Sequence, residues 1–100
     1  MACQVIRHRV VTSLRELAVS LGPVAKGSQW HLFGSVDRDE PDAEDIDLMI
    51  LCNSDDQADT LRHAIDPDAL ALPLHLALLT FDEAAEIEAV SVQHSRAIFP

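Results

Sequence analysis

Two short groups of residues have the types and spacing for phosphoryl chemistry: Gly34-Ser35 and, after a spacer of nine residues, Asp45 with Asp47. In an extended strand, side chains two positions apart point the same way. Asp45 and Asp47 would then project from one face of the strand they open. Two carboxylates so placed repel each other unless something positive sits between them. A divalent cation answers that need, and hard oxygen ligands with water completing the shell suit Mg²⁺ or Mn²⁺. Such ions clamp the attacking and leaving oxygens of a phosphoryl or nucleotidyl transfer. Gly34 supplies the complementary half. A glycine at a strand end turns the backbone through positive φ and lets a ligand approach closely. The N–H groups after it, with the Ser35 hydroxyl, can face phosphate oxygens, and a helical turn starting there adds a favourable partial charge.

Elements on either side must hold these residues. Ile6, Val10, Leu14, Leu17 and Leu21 recur at helical spacing and predict an amphipathic helix. Gly22-Pro23 stops it. Residues 28–33 read as a strand with Trp30 and Leu32 on one face and His31 and Phe33 on the other, so both faces meet protein. Residues 36–44 are polar and contain Pro41, which predicts a loop with room for one short helical turn. Residues 45–52 are apolar on both faces except at Asp45 and Asp47, the pattern of a central strand covered on both sides. Ser54 with Gln57 fits a capping box for a helix through Ile65, ended by Asp66-Pro67. Residues 74–79 make a third strand, with Pro73 suited to its start. Thr80 with Glu83 is a second capping box, opening a helix through Ala84 and Ile87 toward Val90. Residues 96–99 add a short edge strand. Helices and strands alternate, so an α/β or α+β sandwich with helices against one small sheet is expected.

Gly-Ser, a spacer of this length and Asp-hydrophobic-Asp in an apolar strand resemble the nucleotidyltransferase superfamily that includes DNA polymerase β. The short chain is similar to its smallest members, the minimal nucleotidyltransferases. The amphipathic helix, Leu32-Phe33-Gly34-Ser35, Arg38 in the spacer and Leu78-Leu79-Thr80-Phe81-Asp82-Glu83 extend the likeness over nearly the whole chain. The resemblance implies an α+β fold, a small mixed sheet flanked by helices. It implies that Asp45 and Asp47 are catalytic metal ligands and that Gly34, Ser35 and Arg38 hold the triphosphate of ATP. A nucleoside monophosphate would pass from the nucleotide to a hydroxyl of a protein or small molecule. In the family a third carboxylate on the next core strand completes the site. Here that strand is Leu74-His75-Leu76-Ala77-Leu78-Leu79, and His75 stands at the position. An imidazole can act as a general base near pH 7 but is a poor ligand for Mg²⁺. The spacer departs from the family pattern at Asp39, where a glycine commonly follows the arginine, and at Glu44, where a serine commonly precedes the first aspartate. Family members of this size commonly pair with a small helical HEPN protein, an RNase, and act as its antitoxin by modifying or covering it.

The 100 residues hold one hydrophobic core, hence one domain over residues 1–100, with no separate acceptor-binding domain. The acceptor or a second subunit, another copy included, is expected to complete the site. Hydrophobic residues at 48% exclude a disordered chain, and aromatics at 4% require an aliphatic core. Seventeen acids against 7 Lys and Arg leave a net charge of −10, which argues against direct nucleic-acid binding by phosphate neutralisation. No apolar run reaches the roughly 18 residues of a membrane span, and residues 1–9 do not read as a signal peptide. A cytoplasmic protein with Cys3 and Cys52 as reduced thiols is expected.

Plainer readings stand beside these. Asp45 and Asp47 can be strand-end acids in solvent, Ser35 a turn residue, His75 a half-buried histidine and Cys52 a small core residue. Asp37, Asp39, Glu40, Asp42 and Glu44 read as a solvated loop, and Arg7, Arg9 and Arg15 as a solvated helix face. Two functions compete: a metal-dependent nucleotidyltransferase, and a degenerate module of the same fold that binds nucleotide or a partner protein without transfer. A purely structural subunit is the third.

Overall fold

The computed structural model describes residues 5–70 and 72–99, so Cys3 lies outside the described residues. The first helix, α1, spans Val5–Leu21. Its apolar stripe buries Val10, Val11, Leu14 and Ala18. Gly22 ends it at φ +58°, the left-handed conformation that glycine adopts without a Cβ clash. Pro23 then falls in the first turn of a 3₁₀ segment, Gly22–Ala25, where its missing N–H costs nothing.

Four strands follow: β1 (Gln29–Phe33), β2 (Ile46–Cys52), β3 (Leu74–Thr80) and β4 (Arg96–Phe99). They form one mixed sheet in the order β3-β2-β1-β4. β1 is antiparallel to β2 and β4, and β2 is parallel to β3. A parallel pair needs a crossover, and α3 (Asp55–Ala64) supplies it. A one-turn helix, α2 (Gly34–Asp37), follows β1 directly, while α4 (Phe81–Glu86) and α5 (Ala89–Val92) lie between β3 and β4. The chain is an α+β protein with a small mixed sheet flanked by helices, the second of the two alternatives, α/β and α+β, that its patterning leaves open.

The strand alternation decides what each face meets. Trp30, Leu32, Leu48 and Ile50 point to one face and pack with Leu14 of α1 and Leu61 of α3, all at 0% exposure. Met49 and Leu51 point to the other, where Ala84 of α4 and Ala89 of α5 cover them. In central β2 every residue is buried except the half-buried Asp47. A strand apolar on both faces is therefore placed where both faces are covered.

Three local outcomes differ from the expected pattern. β2 starts at Ile46, whose N–H donates to the Pro73 carbonyl at 2.8 Å, so Asp45 sits just before the ladder. At α3 the Ser54 hydroxyl accepts from the Gln57 N–H at 3.1 Å as expected. The Gln57 side chain, however, accepts from the Asn53 N–H and donates to the carbonyls of Val24 and Lys26 at 3.1 and 2.9 Å. The cap thus fastens α3 to the 3₁₀ segment. The Thr80–Glu83 box forms both of its bonds. Its helix stops at Glu86, because Glu88 takes φ +52° and breaks the run. The break seats Ala89 against Met49 and Leu51 and leaves Ile87 in solvent.

Leu48→Ala should cost about 2–5 kcal/mol in urea-monitored stability, because the cavity opens in the centre of the sheet. His31 gives a pH-dependent test. It is buried in β1 with Nδ1 unpartnered and Nε2 at 3.4 Å from the Gln29 side-chain oxygen. Desolvation by burial pushes its pKa below the usual value. The unfolded chain takes up a proton below about pH 6.5 while the folded chain resists it, so stability falls as pH drops through that value. Urea unfolding at pH 7.5 and 5.5 should show the wild type losing more stability than His31→Gln.

Candidate functional site

The site grows out of the β1–β2 register. β1 ends at Phe33, which pairs with Asp47 across the antiparallel ladder. The next residue, Gly34, takes φ +77° and starts α2. This turn brings its Cα against the Asp47 side chain. A Cβ at position 34 would overlap Asp47 Oδ2 and lie 3.0 Å from Cγ and 3.3 Å from Cβ. Only glycine fits, for two independent reasons: the left-handed backbone and the carboxylate lying on it. The Gly34-Ser35 corner and the Asp47 carboxylate are therefore adjacent in space.

The parallel β2–β3 register adds the third residue. Asp47 is the ladder partner of His75, so the two side chains leave the sheet on the same face. Asp45 is one residue before β2, and its Oδ1 is 3.5 Å from His75 Nε2. The His75 and Asp45 side chains are 64% and 51% exposed, open to a ligand from solvent. Asp47, His75, Met49 and Ala77 share one face of the sheet. Further along that face, α4 and α5 cover Met49 and Leu51.

The structure thus brings together Gly34, Ser35, Asp47, His75 and Asp45 at one end of the sheet. Two carboxylates match a hard cation that keeps waters and substrate phosphates as its other ligands. Among the described residues, no three His, Cys, Asp or Glu side chains converge closely enough to hold a metal ion by themselves. Asp66 and Asp68 do not add a carboxylate to the pair.

Arg38 is placed differently from its partners in the motif. Its Nε donates to Glu40 Oε2 at 2.6 Å, and its side chain lines a separate cavity with Arg7, Arg15 and Arg96. Asp39, which stands where the resembled family commonly has glycine, takes φ +57°, so the turn adopts the backbone that glycine favours. Its Oδ1 accepts from the Arg7 N–H at 3.1 Å near the start of α1.

Sequence reasoning missed two acids here, Asp37 and the half-buried Asp39. Asp37 reads as part of a solvated loop, yet it is 4% exposed. Arg96 Nε donates to both of its carboxylate oxygens at 3.0 Å, and Arg7 Nε donates to Oδ1 at 3.2 Å. Arg7 is likewise a half-buried partner of this carboxylate rather than part of a freely solvated face. No local signal marks the trio, because residues 7, 37 and 96 meet only through the tertiary fold.

Comparison with protein-family models, with curated proteins and with solved structures finds no match to this chain. No described helix is long and apolar enough to cross a membrane.

The Gly34–Asp47 contact predicts a coupled pair. Gly34→Ala should destabilise the protein by about 1–3 kcal/mol, the usual range for enforced backbone strain. In an Asp47→Ala background the same change should cost less, by at least about 0.5 kcal/mol, because the overlapping carboxylate is gone. Equal costs in both backgrounds, read from denaturant melts, would show that the carboxylate does not lie on Gly34.

Proposed function

We propose that the chain is a minimal nucleotidyltransferase, transferring a nucleoside monophosphate from an NTP, ATP first among candidates, to a hydroxyl. The observation that carries this reading is the seating of the Asp47 carboxylate on Gly34, with Ser35, Asp45 and His75 around it. A phosphate-approach corner and a pair of hard-cation ligands are what an attack on an α-phosphate needs in one place.

Each residue has a part in that reaction. Gly34 leaves room for the Asp47 carboxylate against the backbone, and Ser35 offers its hydroxyl to phosphate oxygens. Asp45 and Asp47 would hold Mg²⁺ or Mn²⁺, which when bound neutralises phosphate charge and lowers the barrier at phosphorus. His75 takes the proton of the acceptor hydroxyl, with Asp45 Oδ1 3.5 Å from its Nε2 and able to orient the imidazole. The acceptor oxygen forms its bond to the α-phosphorus as the bond to the bridging oxygen breaks. Pyrophosphate leaves with the electron pair. A histidine in place of a third carboxylate also supports a second reading, a module that binds nucleotide or a partner without transfer. In either case a HEPN-type protein remains the partner that the sequence resemblance suggests.

Labelled ATP, Mg²⁺ or Mn²⁺ and hydroxyl-bearing acceptors, a HEPN protein among them, separate the readings. Transfer should require the cation, fall at least about 100-fold in Asp47→Asn and fall about 10²–10⁴-fold in His75→Ala. Cation-dependent thermal stabilisation by ATP without label transfer would favour the binding module. Neither transfer nor stabilisation would end both readings.

A further inference from the structure

A second constellation lies on the other side of α2, and it gathers the few cations of an acidic chain. Of its 7 Lys and Arg residues, Arg7, Arg15, Arg38 and Arg96 line one cavity of about 290 Å³. They arrive from three places: Arg7 and Arg15 from α1, Arg38 from the residue after α2, and Arg96 from the first position of β4. His8 adds an exposed imidazole.

The guanidinium groups are fixed before any ligand arrives. The buried Asp37 carboxylate takes the Nε of Arg7 and Arg96, and Arg96 also donates to the Asp37 carbonyl. The Ile98 carbonyl takes the Nε of Arg15 at 2.7 Å. Among the described residues no acceptor takes the terminal amino groups of Arg7 or Arg15, which therefore remain as donors. Arginines tied by their inner edges lose little freedom when an anion binds their outer edges. Donors approaching from several elements suit a tetrahedral oxyanion better than a flat carboxylate.

Asp39 also lines the cavity. Its Oδ1 accepts from the Arg7 N–H and its Oδ2 is sealed from solvent, so this carboxylate is not presented to a ligand.

From this geometry we propose that the Arg7–Arg15–Arg96 cavity is a binding site for the phosphoryl group of a small ligand. The site is separate from the Gly34–Asp47 corner and does not depend on the function assigned there.

The test is titration of the folded chain with inorganic phosphate, and with acetate as comparator, at constant ionic strength and pH 6.5, followed by calorimetry and amide NMR. Phosphate should bind saturably and move the signals of Arg7, Val11, Arg15 and Arg96. Acetate, a flat carboxylate, should bind at least about tenfold more weakly. Arg15→Gln should weaken phosphate binding about tenfold or more, the usual effect of losing a charge-assisted bond. Arg38→Gln, at an exposed residue, gives a second variant should Arg15→Gln fail to fold. Arg9→Gln removes the same charge from α1 outside the cavity and should change binding less than twofold. Unsaturable binding, acetate as tight as phosphate, or Arg9→Gln as damaging as Arg15→Gln would each overturn the assignment.

Discussion

Pairing of Phe33 with Asp47 across the β1–β2 ladder is the contact on which the site rests. It puts the bend at Gly34 beside the only residue of β2 that is not fully buried. The register is not maintained by the site itself. Trp30, Leu32, Leu48 and Ile50 are all sealed from solvent on the opposite face. Slipping either strand by one residue would turn that set to the wrong side, since side chains alternate with a period of two. Such a slip would forfeit several fully buried side chains, each worth about 1.5–3 kcal/mol of burial. Core packing thus holds the acid against the glycine without any attraction between them.

The sheet is also what makes His75 part of the arrangement. The parallel ladder pairs β2 and β3 from Ile46 with Leu74 to Cys52 with Thr80, and His75 falls opposite Asp47 within it. On the far side of α2, Asp37 does comparable work through charge. Two guanidinium groups from distant parts of the chain converge on one buried carboxylate and join α1, α2 and β4. A buried ion pair is a poor guarantee of net stability, because desolvation offsets much of its attraction. It does impose orientation, and here it orients arginines that would otherwise sample solvent. A helix of one turn therefore has an acidic corner at its start and a basic cavity at its end.

Some of this was readable from residues alone. The alternation in residues 28–33 and the unbroken apolar run after Asp47 identify β1 and β2, because burial on two faces leaves no position for a polar side chain. The Thr80–Glu83 box marks a helix start for an equally local reason: both partners lie within one turn. The helix break at Glu88 was not readable. A left-handed glutamate is disfavoured locally and is held there by the packing of Ala89 on the sheet. Asp37 and Asp39 were misread as solvated for the same reason. Acids in a polar loop are normally exposed, and their partners lie about 30 or 59 residues away.

The sequence by itself determined the alternation of helices and strands, the central strand, the glycine bend and the candidate acids, since each depends on periodicity or on the chemistry of neighbouring residues. Only the tertiary structure decided that Asp47 lies on Gly34, that His75 stands beside both aspartates, and that Arg38 turns away to join three other arginines. These are matters of register and long-range convergence. They are set by the summed burial of a whole core, which no short stretch of chain contains.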